Sequence, residues 1–232
     1  EQYGRYSFIG RNPLLILQSE NEKTHIWQDG NWQEYNSGFL EILRSTQQQY
    51  KAPKLNGLPH FTGGLVGFLG YESISWVEDI PIYNQDELQC PDALFMLFHE
   101  VIAFDHLQNQ IILFSNVQIE NGMDLEKAYA DANLRIDEMG EDLHTDIDYQ
   151  TPAQLEQSKL HSNFTQTKFE DAVQKAKEHI KAGDIFQLVL SQRFRRQTSV
   201  DPLTMYRALR SINPSPYMFH LKLNDFDIIG AS

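Results

Sequence analysis

The sequence has one cysteine, Cys90, among 232 residues. A single cysteine excludes an intramolecular disulfide framework and a zinc site built from several thiolates, and it suits a reducing compartment. The eight histidines are scattered, with no HExxH or comparable ligand spacing, which argues against a zinc site. A Gly-x-Ser-x-Gly elbow is also missing, and Cys90 stands in no recognisable nucleophile pattern. The sequence therefore offers none of the metal or nucleophile motifs that are easiest to recognise.

Long apolar runs and positive charge are also scarce. No apolar run approaches the roughly 18 residues of a membrane-spanning helix, and no signal peptide opens the chain. Because the chain begins at Glu1 and not at a methionine, an N-terminal address upstream stays open. Lys and Arg number 19 against 32 Asp and Glu, which gives a net charge of −13 and a pI near 4.9. We expect a cytoplasmic protein that binds neither nucleic acid nor a membrane.

What is present predicts a β-rich first half. Hydrophobic residues make up 41% of the chain and aromatic residues 12%, enough for a core. The Asp29-Gly30 pair predicts a tight hairpin turn, because these residues accept positive φ angles. Ser37 is predicted to cap a helix in which Phe39 and Leu43 face inward. Further strands are predicted at residues 6–10, 14–17, 93–98, 101–104 and 110–114.

Residues 61–71 are the most glycine-dense part of the chain. The spacing of Gly64, Gly67 and Gly70 matches neither the dinucleotide fingerprint nor a P-loop. Glycines inside a strand more often mark bulges or close packing of two backbones. We therefore predict a closely packed strand, followed by a polar connector up to Ala93.

An acidic helix is predicted after Asp124, its N-cap, and ends near Met139. Its inward positions are Leu125, Ala128, Tyr129, Ala132 and Ile136. The polar segment 140–162 follows and is predicted to contain a linker.

Two helices and three strands are predicted in the last third, and the last two strands, at 219–223 and 228–230, are joined by a turn at Asn224-Asp225. Thr167 and Glu170 have the spacing of a capping box, and Gly183 suits the left-handed end of the same helix. Asp201-Pro202 predicts the start of the second helix. The apolar segment 185–194 predicts a buried strand.

Two polar residues in that predicted strand, Gln187 and Ser191, have two interpretations. They either present polar groups to a ligand or satisfy neighbouring backbone groups, as buried polar groups usually do. The sequence alone does not decide between these.

The segment Asn-Pro-Ser-Pro-Tyr-Met at 213–218 has a sharper physical meaning. Pro214 and Pro216 favour extended backbone at the residues before them and remove two N–H donors. The segment then offers carbonyl acceptors beside an aromatic ring and a thioether, a combination that suits an ammonium-bearing apolar ligand such as an aromatic amino acid. The alternative is a rigid connector from helix to strand in which Tyr217 and Met218 belong to the core.

Several long motifs, in one order, resemble anthranilate synthase component I, the large chorismate-binding subunit. The motifs are Gly-Arg-Tyr-Ser-Phe-Ile-Gly at 4–10, Phe-Thr-Gly-Gly-Leu-Val-Gly at 61–67, Pro-Asp-Ala-Leu-Phe at 91–95, Phe-Asp-His at 104–106, Lys-Ala-Gly-Asp-Ile-Phe-Gln at 181–187, Ser-Gln-Arg-Phe at 191–194, Asn-Pro-Ser-Pro-Tyr-Met at 213–218 and Gly-Ala-Ser at 230–232. The resemblance covers essentially the whole chain.

The resemblance implies an α+β fold, with antiparallel sheets packed at a steep angle and helices on the outside. It implies an enzyme of tryptophan biosynthesis that converts chorismate and ammonia to anthranilate and pyruvate. The ammonia comes from a glutamine amidotransferase subunit, component II, and Mg2+ holds the substrate carboxylate. Tryptophan inhibits by feedback in a pocket lined by the residues matching Pro216, Tyr217 and Met218.

Where the chain departs from the family limits what can be transferred. The family's second tryptophan-binding wall precedes the motif at 4–10, and its catalytic, Mg2+-binding and chorismate-binding residues follow the residue matching Ser232. We therefore expect residues 1–145 to form the N-terminal domain, 146–163 a linker, and 164–232 the first elements of the chorismate-binding domain. No catalytic or metal-binding residue is predicted in this chain, and the isolated fragment is expected to be inactive.

Two alternatives to anthranilate synthase stay open. One is aminodeoxychorismate synthase component I of folate synthesis, which shares the fold and the substrate, although Tyr217-Met218 and residues 186–191 are closer to the anthranilate pattern. The other is a non-catalytic module that senses tryptophan or docks a partner.

Overall fold

The computed structural model describes residues 4–20, 23–81, 87–146 and 158–232. The chain separates into two units, Glu1–Ile147 and Asp148–Ser232, each with its own internal contacts. Every paired strand in the described residues is antiparallel.

The first unit holds two sheets and two α-helices among its described residues. Its elements are β1 (Tyr6–Arg11), β2 (Leu15–Glu20), β3 (Lys23–Gln28), β4 (Asn31–Tyr35), α1 (Phe39–Gln49), β5 (Gly64–Leu69), β6 (Ala93–Phe98), β7 (Glu100–Asp105), β8 (Gln110–Ser115) and α2 (Leu125–Asp142). One sheet has the order β4-β3-β2-β6-β5 and the other the order β1-β7-β8. A 3-10 helix, Tyr71–Trp76, lies in the connection between β5 and β6.

The core of this unit lies between α1 and the five-stranded sheet. Leu17 and Ala93 are fully buried in it, and Phe39 packs there from the start of α1. The predicted cap of α1 was wrong by one residue, because Gly38 and not Ser37 occupies the N-cap position, without a side-chain hydrogen bond. A helix anchored by a buried aromatic residue in its first turn does not depend on its cap.

Two local predictions in the five-stranded sheet are confirmed. Asp29 and Gly30 have φ angles of 51° and 82°, and they form the turn between β3 and β4. A side chain at Gly67 would overlap the backbone carbonyl of Leu94 on β6, so this position admits only a glycine. Gly67, and Gly70 beside the carbonyl of Asp92, therefore allow the close backbone packing that the sequence predicts.

The second helix of this unit, α2, is capped as predicted, and two of its five predicted inward residues are exposed instead. Asp124 accepts hydrogen bonds from the backbone N–H groups of Glu126 and Lys127. Leu125 and Tyr129, predicted to face inward, are 59% and 71% exposed. Ala132 is buried and Ala128 and Ile136 are half-buried, as predicted, and Met139 adds a further buried residue at the end of the helix.

The second unit consists of α3 (Gln166–Ala182), α4 (Pro202–Ile212), the short pair β9 (His161–Ser162) with β10 (Phe194–Arg195), and the hairpin β11 (Met218–Lys222) with β12 (Asp227–Ala231). The capping box was wrong, since Thr165 is the N-cap of α3 and accepts from the N–H of Lys168. Gly183 ends α3 at φ 83°, as predicted.

The buried strand predicted at 185–194 does not form. In the described residues only Phe194–Arg195 pairs, with His161–Ser162, while Phe186 and Val189 are 93% and 83% exposed. The composition is that of a strand, but a strand also needs a neighbour to satisfy its backbone groups. None of the described strands pairs with residues 185–193.

The predicted α+β class with antiparallel sheets is confirmed. Among the described residues, no helix combines the length and the apolar character that crossing a membrane requires.

Candidate functional site

The segment 213–218 is held between α4 and the β11–β12 hairpin. Asp201 caps α4 by accepting from the N–H of Thr204, and Pro202 occupies the first turn, as the sequence predicts. Asn213 ends the helix, and Met218 begins β11 four residues later. Since α4 packs against both strands of the hairpin, the connection between them is fixed at both ends.

Hydrogen bonds tie this connection to the end of β12. The N–H of Ser232 donates to the carbonyl of Tyr217 at 2.9 Å, which extends the ladder of the hairpin by one rung. The N–H of Tyr217 donates to Oγ of Ser215 at 3.2 Å, and the Ser215 hydroxyl donates to the carbonyl of Ser232. Ser215 therefore links the 213–218 segment to Ser232, the residue that follows β12.

The three predicted ligand-binding residues do not point in one direction. Because side chains alternate along a strand, Met218 and His220 share one face of β11 and Phe219 lies on the other. Met218 is half-buried, whereas Tyr217 is 57% exposed and Pro216 is exposed. The predicted trio is adjacent in sequence, but these contacts form no closed pocket around it.

The predicted excess of carbonyl acceptors is present only in part. The Tyr217 carbonyl is occupied by Ser232. In the described part of the chain, no hydrogen bond reaches the carbonyls of Pro214, Ser215 or Pro216. These oxygens remain available to an ammonium group.

A His–Asp pair beside this segment escaped the sequence reasoning. His220 Nε2 lies 2.7 Å from Asp227 Oδ1, and both side chains are half-buried. The ring of Tyr206 on α4 lies 5.9 Å from the imidazole, centroid to centroid. The only sequence signal is the alternation of the strand predicted at 219–223. His220 pairs with Ile229 and Lys222 with Asp227, so the diagonal contact between His220 and Asp227 depends on the length of the intervening turn.

The opposite face of the hairpin is closed by Phe219. Its ring lies over Gly230, its cross-strand partner, so that any side chain at position 230 would overlap the ring. The glycine of the Gly-Ala-Ser motif is thus explained by packing inside this hairpin.

The two polar residues of the predicted strand, Gln187 and Ser191, are exposed. Since that strand does not form, they line no buried site in this structure. The described residues also contain no group of three or more His, Cys, Asp or Glu side chains arranged to hold a metal ion. The described residues therefore do not fit Mg2+, and no step through it is assigned to them.

Comparison with known proteins identifies the family. The family profile described as chorismate binding enzyme matches residues 1–232. The chain belongs to the chorismate-binding enzyme family. The resemblance inferred from the motifs is therefore confirmed.

Several curated members of the chorismate-binding enzyme family are similar over the whole chain. Anthranilate synthase component 1 of Acetivibrio thermocellus is 38% identical over 241 residues, which is 100% of this chain and 48% of that protein. Component 1 of Synechocystis sp. is 37% identical over 100% of this chain and 48% of its own length. The chloroplastic anthranilate synthase alpha subunit 1 of Arabidopsis thaliana is 34% identical over 99% of this chain and 42% of its own. The chain thus spans about half the length of the curated relatives it matches.

A solved structure agrees. The crystal structure of anthranilate synthase component I from Streptococcus pneumoniae TIGR4 superimposes with a TM-score of 0.79 at 30% identity, covering 99% of this chain and 50% of that one. The fold described above is accordingly that of a chorismate-binding enzyme.

Proposed function

We propose that the protein to which this chain belongs is the large subunit of anthranilate synthase. It converts chorismate and ammonia to anthranilate and pyruvate, with Mg2+ as the cofactor and a glutamine amidotransferase subunit as the source of ammonia. The observation that carries the proposal is the similarity of the whole chain to proteins named anthranilate synthase component 1, in several distant organisms. The proposed location is the cytoplasm.

The product of the full-length protein tests this proposal. Purified enzyme is incubated with chorismate, Mg2+ and ammonium, and anthranilate is followed by its fluorescence. We expect anthranilate and pyruvate in equal amounts. Formation of 4-amino-4-deoxychorismate without pyruvate would instead assign the protein to folate synthesis.

We also propose that Pro216, Tyr217 and Met218 form one wall of a feedback site for tryptophan. Three features support this: the free carbonyls of Pro214 to Pro216, the exposed ring of Tyr217 and the half-buried thioether of Met218. The ring of a bound tryptophan would pack on the aromatic and thioether groups, and its ammonium would bind the carbonyls. The open geometry fits a pocket with a second wall elsewhere.

The full-length enzyme can test this wall directly. Because Met218→Ala removes apolar contact, we expect the tryptophan concentration for half-inhibition to rise roughly 10- to 100-fold. The control Phe219→Leu alters the opposite face of the same strand and should leave the tryptophan concentration for half-inhibition within a few-fold of wild type.

By calorimetry, the fragment 1–232 should bind tryptophan weakly or not at all. Micromolar binding that Met218→Ala abolishes would show that this chain alone holds the whole pocket.

A further inference from the structure

A cavity of about 280 Å3 lies between α1 and the five-stranded sheet. Its floor is apolar and consists of Leu15 and Leu17 of β2 with Ile26 of β3. Leu17 pairs with Ile26 across the two strands, and alternate residues of a strand lie on one face, so these side chains form one surface. The function proposed above uses no residue of this cavity.

The composition of α1 explains why this space is not filled. Ile42 is buried against the sheet, and residues three, four and seven positions later lie on the same side of a helix. These positions hold Ser45, Thr46 and Gln49, and all three line the cavity where large apolar residues would fill it. Tyr35 on the edge strand β4 also lines the cavity and is exposed, so the cavity opens to solvent on that side.

The hydroxyl of Thr46 is the observation that points to a ligand. Thr46 is only 7% exposed and lines the cavity, yet its hydroxyl makes no hydrogen bond with any described residue. Its neighbour Ser45, in contrast, donates to the carbonyl of Ile42 at 2.8 Å. A buried hydroxyl without a partner is costly, so a bound molecule that supplies the partner is favoured.

Tyr50, at the C-terminal end of α1, offers a second hydroxyl to the cavity. Among the described residues it has no hydrogen-bond partner for this group. Burial raises the pKa of Tyr50, and the nearby carboxylates of Glu120 and Asp29 raise it further. The phenol therefore stays neutral and can both donate and accept a hydrogen bond.

Size and charge define what this cavity can hold. A cavity of about 150 Å3 holds a benzene ring, so this one has room for one or two rings. No charged side chain of the described residues lines it, and a charged molecule would lose its hydration without gaining a counter-charge. Glu120 and Asp29, near the Tyr50 hydroxyl, disfavour an anion further.

We infer that this cavity is a binding site for a small, neutral aromatic molecule that carries an amide or a hydroxyl group. The ring of the molecule packs on the floor of Leu15, Leu17 and Ile26. Its polar group forms hydrogen bonds with the hydroxyls of Thr46 and Tyr50.

Three probes of one shape test the charge of the ligand. Benzamide, benzoate and benzamidine are all planar and of similar size, but they are neutral, negative and positive. Titration of the full-length protein, followed by NMR of the probe, gives Kd for each. We expect benzamide to bind about tenfold more tightly than either charged probe, because only the neutral one enters without an uncompensated charge. Absence of saturable benzamide binding would overturn the site, and equal binding of benzoate or benzamidine would overturn the class of ligand.

Thr46→Val tests the role of the hydroxyl at almost constant volume. We expect Kd for benzamide to rise about 3- to 10-fold, because one hydrogen bond is lost. The Tm of the free protein should stay the same or rise, since the hydroxyl has no partner within the described structure. A lower Tm with unchanged benzamide binding would make the hydroxyl a structural group and overturn its assignment to a ligand.

Filling the cavity locates the site independently of Thr46. Ser45→Leu places an apolar side chain in the cavity and should abolish benzamide binding. The matched control is Gln47→Leu, which adds the same side chain at an exposed position of α1 that does not line the cavity, and it should bind as wild type does. Circular dichroism shows whether both variants are folded. Wild-type binding in folded Ser45→Leu, or an equal loss in Gln47→Leu, would show that the molecule binds elsewhere.

Discussion

At the scale of single residues, Asp105 shows how one carboxylate joins a strand to a turn. It is buried, accepts hydrogen bonds from Arg5 at 2.6 Å and 3.1 Å, and accepts two more from the N–H groups of Leu107 and Gln108. The hydrogen bond from Arg5 is the largest of the effects that lower the pKa of Asp105 from 3.8 to about 2. The native state therefore holds this carboxylate in its charged form more strongly than the unfolded chain does.

Asp105 should accordingly contribute an acid-sensitive part of the stability. A carboxylate with a lowered pKa stabilises the native state fully above pH 3.8. This contribution is lost as the pH falls through about 2. We expect Asp105→Asn to melt below wild type at pH 7, with the difference shrinking as the pH falls across that window. The control Asp225→Asn, at an exposed turn, should follow wild type throughout. A difference between Asp105→Asn and wild type that stays constant from pH 5 to pH 2 would contradict the assignment.

His99, between β6 and β7, also has a lowered pKa, but the cause is burial, which disfavours its charged form. Its Nδ1 is buried without a hydrogen-bond partner among the described residues, and its Nε2 lies 3.4 Å from the buried Glu100. Burial lowers the pKa of His99 below 6.5, Glu100 opposes the shift, and Arg135 adds to it. The unfolded chain therefore takes up a proton at a higher pH than the native state does, so stability falls as the pH drops below 6.5.

Replacing His99 should remove that slope. For one proton the slope of unfolding free energy against pH is at most about 1.4 kcal/mol per unit. We expect chemical denaturation of His99→Gln between pH 7.5 and 5 to show a flatter profile than wild type. Identical slopes for the two proteins would mean that His99 titrates alike in both states.

At the scale of elements, the helix N-caps show which helix starts the local sequence predicts correctly and which it does not. The caps Asp124 and Asp201 act where the sequence predicts them, because an Asp before a helical pattern has few competing uses. In α3 the sequence predicts a cap at Thr167, but the N-cap in the structure is Thr165. The local pattern missed this because the start of the helix depends on where the chain leaves the β9 strand.

That choice gives a matched pair of variants. Thr165→Ala should destabilise the protein by about 0.5–2 kcal/mol, because it removes the acceptor for the N–H of Lys168. Thr167→Ala, inside the helix and exposed, should change stability by less than about 0.5 kcal/mol. Denaturant unfolding of both variants measures the difference. A larger loss of stability in Thr167→Ala than in Thr165→Ala would instead support the capping box at Thr167.

Two glycines in the first unit illustrate opposite demands of strand and helix. Gly67→Ala would force a methyl group into the Leu94 carbonyl across the β5–β6 pair, so we expect a loss of at least about 1–3 kcal/mol. Gly140 lies in α2 with open space around it, and Gly140→Ala should gain about 0.5–1 kcal/mol by restricting the unfolded chain. Thermal unfolding of the two variants should shift in opposite directions. A shift of both in the same direction would contradict the close approach at Gly67.

At the scale of the whole molecule, the strongest observation is the exposure of the apolar segment 185–193. Its side chains suit a sheet, yet none of the described strands pairs with it. The structure divides the chain into two units, Glu1–Ile147 and Asp148–Ser232. The domain limits of 1–145, 146–163 and 164–232 remain a proposal. Since the curated relatives are about twice as long, the residues of this chain are proposed to be part of a larger active enzyme.

The isolated chain should therefore lack the activity proposed for the full-length protein. Purified residues 1–232 with chorismate, Mg2+ and ammonium should give no anthranilate fluorescence above a blank, while the full-length enzyme under the same conditions should. Circular dichroism of the isolated chain provides the folding control. Measurable turnover by the folded fragment would place catalytic residues within this chain, contrary to the proposal.

The sequence by itself determined the β-rich first half, the Asp29-Gly30 hairpin, the caps at Asp124 and Asp201 and the family. Each of these depends on neighbours within a few residues, or on motifs long enough to be specific. The tertiary structure alone decided that Leu125 and Tyr129 of α2 are exposed, that no described strand pairs with residues 185–192, and that the side chains of Tyr71, Ile74 and Val77 are exposed. Those outcomes depend on which distant backbone or apolar surface is within reach, and a local pattern contains no information about that.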